Sequence, residues 1–252
     1  MRRNYPILLA LAAQLTAALL LALLGYLAAR WFQLRPAPLA AVLAQGLLAA
    51  GIGHWLGLSR WWLPINLLFA PALLLLIALS LPPWAFLLTF VILLLLYWNS
   101  ISGGVPLYLT GESTRRQLED ILRQQPPHFR YIDLGSGLAG TLCALSRRFP
   151  QATFEGVETA PLVFLASWLR CLLRPNCHIR YRSLWHVDLA PYDIVYCFLS
   201  PVPMPDLWKK AKAEMKKNSL LISNTFEIPG IAPHRTIALQ DWRDTRLLIW
   251  KL

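Results

Sequence analysis

The ten residues 131–140 read YIDLGSGLAG, and they decide the fold of the second half of the chain. An apolar run ends with an acid, Asp133, just before a glycine-rich turn, and residues 141–149 then have the composition of a helix. Strand, tight turn and helix in this order form a unit in which glycines let the backbone approach a nucleotide and the helix N-terminus faces it. We therefore predict a nucleotide-containing ligand at this turn.

Two classes of ligand use such a turn. Gly135, Gly137 and Gly140 have the G-x-G-x-x-G spacing of NAD and FAD sites, where helix amides bind a pyrophosphate. Asp133, two residues before the first glycine, suits a ligand with a cationic head better than one with phosphates. This favours S-adenosylmethionine (SAM), which carries an amine and a sulfonium, and leaves an NAD-dependent oxidoreductase as the alternative.

A second acid follows at the end of the next apolar run, residues 152–158, which read ATFEGVE. Glu158 comes about 20 residues after the glycines, the spacing at which a carboxylate accepts the hydroxyl groups of a ribose. Glu158 therefore fits either ligand.

Residues 133–137, DLGSG, resemble the first motif of class I SAM-dependent methyltransferases, and residues 156–158, GVE, resemble their second. This resemblance implies a Rossmann-like α/β domain that binds SAM.

Three further segments resemble the membrane-anchored protein-lysine methyltransferases that modify the mitochondrial ATP synthase c subunit and the adenine nucleotide translocase. They are VPLYLT at 105–110, LWHVDL at 184–189 and FLSPVPM at 198–204, and the resemblance covers about residues 105 to 230. The cofactor contacts that it implies are Thr110, Asp133, Gly135, Ser136, Gly137, Glu158, Leu184 and Trp185.

The chain departs from the pattern of that family at three positions. The family usually has an acid and a glycine where this chain has Leu138 and Ala139, and an aspartate that contacts adenine where it has Ser183. These departures keep open a membrane protein that binds SAM without catalysis.

Composition indicates two modules. The chain has 252 residues, of which 56% are hydrophobic, and its mean hydropathy of +0.46 is too high for an ordinary soluble domain. The first hundred residues contain no Asp or Glu. We predict a transmembrane helical domain over residues 1–101 and a SAM-dependent methyltransferase domain over residues 102–252.

Four apolar runs in the first module predict about four transmembrane helices, because a helix needs about 20 residues to cross the hydrocarbon core. We predict a multi-pass protein with both termini in the cytoplasm. Arg2 and Arg3 favour a cytoplasmic N-terminus, and the C-terminal domain must lie on the same side because SAM is made in the cytoplasm. Ala49, Gly53 and Gly57 predict a flat helix face for close packing, and Gln14, Gln45 and Asn66 predict hydrogen bonds between helices. The four runs are residues 7–29, 39–58, 62–81 and, as the shortest, 84–98.

In the second module, helix and strand patterns alternate, which predicts a mostly parallel sheet with helices on both faces. A terminal antiparallel pair over residues 234–239 and 246–252 is typical of class I methyltransferases and not of NAD domains. The other predicted helices are residues 112–124, 160–173 and 206–217, and the other strands are residues 178–182, 193–198 and 220–226.

The methyl group of a sulfonium is already activated, so alignment with the acceptor supplies most of the rate acceleration. Ser200 and Pro201 follow one predicted strand and Glu227 follows the next, so we expect them to border the acceptor. If the acceptor is a lysine, Glu227 would orient its neutral amine.

The predicted acceptor is a lysine on a membrane protein, because the short segment Ser102-Gly103-Gly104 tethers the domain to the bilayer. A lipid or a small lipophilic molecule is the alternative acceptor. The net charge of +11 suits anionic lipid headgroups, and we expect no nucleic acid partner. Cys143, Cys171, Cys177 and Cys197 lack zinc-site spacing, so we expect reduced packing residues and no metal.

Overall fold

The computed structural model describes residues 6–34, 37–102, 104–239, 241 and 244–252. The chain forms two compact units, Met1–Phe86 and Leu87–Leu252. The predicted domain boundary after residue 101 stays a prediction. Arg2, Arg3 and Gly103, which entered the predictions of orientation and tether, lie outside the described residues.

The first unit contains helices α1 (Pro6–Phe32), α2 (Pro38–Trp55) and α3 (Trp62–Ala78). Among the helices in the described residues, α1 and α2 are long and apolar enough to cross a membrane, by length and composition. Helix α3 has 17 residues and helix α4 (Pro83–Leu96) has 14. All four predicted apolar runs are therefore helical, and two of them reach spanning length.

Small residues let α2 pack closely in the first unit. Gly46, Ala49 and Gly53 are buried, and a Cβ atom at Gly46 would collide with the backbone carbonyl of Leu67 on α3. The prediction of a small-residue face on α2 is confirmed at Ala49 and Gly53. It is wrong at Gly57, which lies beyond the end of α2 with a φ of 87°.

A hydrogen bond inside the first unit joins α1 to α3. The side-chain amide of Gln14 donates to the backbone carbonyl of Asn66 at 2.9 Å and to its Oδ1 at 3.2 Å. The predicted interhelical role of these two residues is confirmed.

The second unit is built on a sheet that, within the described residues, has seven strands in the order β3-β2-β1-β4-β5-β7-β6. Strands β1 to β5 are parallel, and β7 is antiparallel to both β5 and β6. The predicted alternation and the terminal antiparallel pair are confirmed. The strands are β1 (Arg130–Leu134), β2 (Thr153–Glu158), β3 (Cys177–Tyr181), β4 (Ile194–Cys197), β5 (Leu220–Asn224), β6 (Arg235–Ala238) and β7 (Arg246–Lys251).

Four helices of this unit begin and end within a few residues of their predicted bounds, whereas the short helix over residues 98–102 was not predicted. In chain order, the helices are α5 (Trp98–Ser102), α6 (Glu112–Leu122), α7 (Gly140–Arg148), α8 (Pro161–Cys171) and α9 (Met204–Glu214).

Strand β1 positions the site because β2 and β4 pair with it on its two sides. Asp133 on β1 lies opposite Gly156 on β2 and Tyr196 on β4. Parallel strands end at the same edge of the sheet, so the segments that follow β1, β2 and β4 meet there.

Candidate functional site

The glycine-rich turn has the backbone conformation that its sequence predicts. Gly135 and Gly137 have φ angles of 77° and 53°, in the left-handed region that favours glycine. The amides of Gly135 and Ser136 both donate to the carbonyl of Val157 at 3.0 Å, which fixes the turn against β2. Ala139, where the family usually has glycine, also takes a left-handed conformation and is the N-cap residue before α7.

Asp133 is a buried acid at the base of this turn, with 4% of its surface exposed. Burial, and secondarily the negative charge of Glu158, raises the pKa of Asp133 to about 8. A cation placed beside this carboxyl would lower its pKa again and so favour the charged carboxylate. Asp133 is therefore suited to the ammonium group of a ligand.

Two arginines share a cavity of about 260 Å³ with Asp133, and we call it the small cavity. Arg115 reaches it from α6, and Arg170 reaches it from α8, where Arg170 Nη1 also donates to the carbonyl of Leu138 at 2.9 Å. One buried acid and two guanidinium groups complement the ammonium and carboxylate of an amino acid. This arrangement fits the methionine part of SAM.

Glu158 ends β2 with its carboxylate fixed by four donors. The amide of Gly137 donates to Oε2 at 3.0 Å, and the amides of Thr159 and Ala160 donate to Oε1 at 2.7 and 2.9 Å. The side chain of Asn99 on α5 also donates to Oε1, at 2.6 Å. Four donors therefore fix the orientation of the carboxylate, and Asn99 holds part of its acceptor capacity.

A larger cavity of about 490 Å³ includes Glu158 in its wall, and we call it the large cavity. It shares Tyr108, Gly135 and Phe198 with the small cavity. The two cavities therefore adjoin, with Asp133 in the wall of the small one and Trp185 in the wall of the large one. A ligand with an amino-acid end and a nucleoside end needs two adjoining cavities of this kind. The large cavity is also lined by Leu96, Trp98, Asn99, Ser100, Val105, Leu107, Val163, Arg182, Ser183, Leu184, Leu199, Val202, Pro203 and Asp206.

Aromatic rings and a hydroxyl network support the boundary between the two cavities. The Tyr108 ring stacks on Phe198 with centroids 4.9 Å apart. The hydroxyl of Tyr196 lies 3.0 Å from Thr110 Oγ1 and accepts from Asn224 Nδ2 at 3.1 Å. Burial raises the pKa of Tyr196, so its hydroxyl stays protonated.

The structure brings the predicted cofactor residues together. Thr110, Asp133 and Ser136 line the small cavity, and Gly135 lines both. In the large cavity they are joined by Glu158, Leu184 and Trp185, while Gly137 binds Glu158 through its amide. The cofactor contacts themselves stay predictions.

The predicted acceptor residues are placed differently. Ser200 is buried, and its hydroxyl has no hydrogen-bond partner among the described residues. Pro201 is exposed, and Glu227 is exposed and pairs with Arg246 at 3.2 Å. None of the three is among the described residues that line either cavity, whereas Val202 and Pro203 line the large one.

Sequence reasoning missed Arg115, Arg170 and Asn99. The two arginines lie on helices outside the motifs, and no local pattern indicates that α6 and α8 converge on the glycine turn. Asn99 directly follows the last predicted apolar run, residues 84–98, where no cofactor contact was expected.

Comparisons with known proteins agree with this geometry. A family model described as the ANTKMT methyltransferase domain matches residues 133–235. The search of curated protein sequences found no match. An RNA methyltransferase from Salinibacter ruber, solved with S-adenosyl-L-homocysteine, is 18% identical over 57% of this chain and 93% of that chain, with a TM-score of 0.52.

A SAM-dependent methyltransferase from Geobacter sulfurreducens, also solved with S-adenosyl-L-homocysteine, is 17% identical over 46% of this chain and 48% of that chain, with a TM-score of 0.40. The family model and the fold identify the second unit as a class I SAM-dependent methyltransferase domain, whose cofactor is SAM. The NAD-dependent alternative is not favoured, because β7 lies antiparallel between β5 and β6.

Proposed function

We propose that this protein is a membrane-anchored methyltransferase that transfers the methyl group of SAM to a lysine of a membrane-associated protein. The observation that carries the proposal is the large cavity, which combines Glu158, the predicted ribose contact, with a wall of apolar and aromatic side chains. The four-carbon stem of a lysine packs on such a wall while its amine reaches a polar end.

The chemistry requires a neutral amine in line with the methyl group and the sulfur, so the lysine must first lose a proton. Among the described residues that line the large cavity, Glu158 and Asp206 carry carboxylates. Glu158 is held by four donors, whereas the carboxylate of Asp206 on α9 has Lys209 as its ion-pair partner at 2.8 Å. We assign Asp206 the role of attracting the lysine ammonium and orienting the amine.

Membrane anchoring is supported by the surfaces of α1 and α2. Only 22% of an 18-residue apolar stretch in each helix is buried. Large side chains such as Leu19 and Leu47 are more than 60% exposed. A soluble protein rarely leaves apolar faces of this extent in contact with water. The proposal includes four spans with both termini in the cytoplasm, and reporter fusions at Met1 and Leu252 that report opposite sides would contradict it.

A membrane-associated acceptor is supported by the sequence between the apolar runs and the catalytic domain. Few residues separate them, and two partners confined to one surface meet at a raised effective concentration. The matching family model carries the ANTKMT description, in line with the lysine methyltransferases that residues 105–110 and 198–204 resemble.

The test reconstitutes the full chain into the same proteoliposomes as the membrane proteins and lipids of a deletion strain and adds SAM with a labelled methyl group. We expect label in protein that yields methyllysine after complete hydrolysis, and no label with the Gly135→Val variant. Label confined to the lipid extract would contradict the lysine acceptor and support a lipid one. Label in neither fraction would contradict a membrane substrate.

A further inference from the structure

Three cysteines from separate elements meet in the core of the methyltransferase domain. Cys143 lies in α7, Cys171 ends α8 and Cys177 begins β3. The sulfur atoms of Cys143 and Cys171 are 3.5 Å apart, and Cys177 donates to Cys171 at 3.1 Å. All three sulfur atoms lie within 4.8 Å of one another. No feature of the sequence spacing indicates this cluster.

The turn between Cys171 and Cys177 is fixed by one side chain. Asn176 Nδ2 donates to the carbonyls of Ser146, Phe149 and Ala152, each at 3.1 Å. These bonds tie the turn to the end of α7 and the segment that follows it. The cluster is therefore held in place before any ligand arrives, which lowers the ordering cost of binding.

A positive group stands beside the cluster. Arg174 Nε is buried and has no hydrogen-bond partner among the described residues. The backbone of Arg174 lies between two of the cysteines: its amide donates to the carbonyl of Cys171 at 2.9 Å, and its carbonyl accepts from the amide of Cys177 at 3.3 Å. An unpaired buried donor is costly, and a thiolate would satisfy it.

We propose that Cys143, Cys171 and Cys177 form a three-thiolate site for a soft monovalent metal ion of the Cu⁺ class. Thiolate ligands select soft ions. With metal–sulfur bonds of about 2.3 Å, a trigonal site needs sulfur atoms about 4.0 Å apart. The separations of 3.5 and 3.1 Å are shorter, so these two sulfur pairs would move apart by about 0.5 and 0.9 Å to hold the ion. Among the described residues no His, Asp or Glu joins the group as a fourth ligand, which favours a three-coordinate ion over Zn²⁺.

Binding would release the thiol protons to solvent and would transfer no electrons. Three thiolates around one Cu⁺ carry a net charge of −2, which the guanidinium of Arg174 partly offsets. The site is independent of the methyl-transfer chemistry.

The test titrates the reduced, anaerobic full chain against the coloured complex of Cu⁺ with bicinchoninate and measures the transfer of Cu⁺ from the chelator. We expect one Cu⁺ per chain in the wild type. We expect the same in the Cys197→Ser variant, whose substituted cysteine is equally buried but lies on β4. Cys171→Ser removes the central sulfur and should weaken binding by at least roughly 100-fold, because losing a direct ligand costs more than losing a residue that only orients one.

X-ray absorption of the Cu⁺-loaded wild type tests the site without any variant and should show three sulfur ligands. Cu⁺ that stays with the chelator would overturn the proposal. An equal loss of binding in Cys171→Ser and Cys197→Ser, or a ligand set without three sulfur atoms, would also overturn it.

Discussion

Asn99 and Glu158 share a 2.6 Å hydrogen bond between the side-chain amide and Oε1. Thr159 Oγ1 donates to Oδ1 of the same amide at 2.6 Å, which fixes the side chain of Asn99 over the carboxylate. If Glu158 binds the ribose of SAM, as its position in the sequence predicts, a ribose hydroxyl and the Asn99 amide would compete for Oε1. We therefore expect Asn99 on α5 to be an internal competitor for the predicted ribose contact.

Removing this competitor should strengthen cofactor binding. We expect Asn99→Ala to raise SAM affinity by roughly 3- to 10-fold, the value of one hydrogen bond that no longer has to be broken. Titration calorimetry on the full chain measures it. Glu158→Gln should weaken binding in the same assay, because the carboxylate acceptor itself is lost. Weaker binding in Asn99→Ala would show that the amide is a ligand and not a competitor.

The raised pKa of Asp133 makes both stability and binding depend on pH. The folded pKa of about 8 lies above the ordinary value of 3.8, so without SAM the contribution of this group to stability is fully present below pH 3.8. It is lost as pH rises through 8. We therefore expect the free energy of unfolding of the SAM-free domain to fall over this range, as measured by denaturant titration.

The opposite trend applies to SAM, whose ammonium requires the ionised carboxylate. SAM affinity should rise by up to about tenfold per pH unit toward pH 8, with uptake of SAM releasing a proton near neutrality. Calorimetry in two buffers of different ionisation enthalpy counts that proton. Asp133→Asn is the control, and it should bind SAM weakly and with no such dependence on pH. If SAM affinity in this variant still rose with pH as steeply as in the wild type, the released proton would come from another group.

Arg115 and Arg116 are neighbours on α6 with different surroundings. Both pair with Glu112, but Arg115 lines the small cavity and is 31% exposed, whereas the side chain of Arg116 is 77% exposed. Arg115→Gln should weaken SAM binding by roughly tenfold or more, because a charge-assisted bond to the SAM carboxylate is lost. Arg116→Gln should leave the affinity unchanged. Equal affinities of the two variants would place the carboxylate elsewhere.

The local unit of strand, turn and helix could be predicted from residues 131–140, because each step has its own residue pattern. Glu158 followed from a spacing within one βαβ unit. Arg115 and Asn99 could not be predicted, since only the packing of distant elements brings them to the site. The cysteine cluster could not be predicted for the same reason, since its three members come from separate elements. The close contact of Gly46 with the backbone of α3 was missed for a different reason. A repeat of small residues in the sequence indicates a flat helix face, but it does not show where the backbone of another helix approaches that face.

Asp206 and Glu227 are rival carboxylates for the lysine amine. Asp206 lines the large cavity, whereas Glu227 pairs with Arg246 at the surface. Asp206→Asn should lower kcat with the lysine acceptor by roughly 10- to 100-fold while the Kd for SAM stays the same. Glu227→Gln is the matched control and should retain activity. A loss of activity in Glu227→Gln with none in Asp206→Asn would restore the assignment made from sequence.

The packing of α2 against α3 can be tested with two glycines of the same helix. A Cβ atom at Gly46 would overlap the carbonyl of Leu67, whereas a Cβ atom at Gly51 would meet nothing within 4 Å. Gly46→Ala must therefore push the helices apart, at a cost of about 1–3 kcal/mol. Gly51→Ala should instead stabilise α2 by up to about 1 kcal/mol, because alanine favours a helix.

Thermal loss of helical circular dichroism, followed on the full chain in detergent, compares the two variants. We expect a lower melting temperature for Gly46→Ala and an equal or higher one for Gly51→Ala. Equal decreases in both variants would mean that helix propensity within the apolar unit, and not the contact between Gly46 and Leu67, sets its stability.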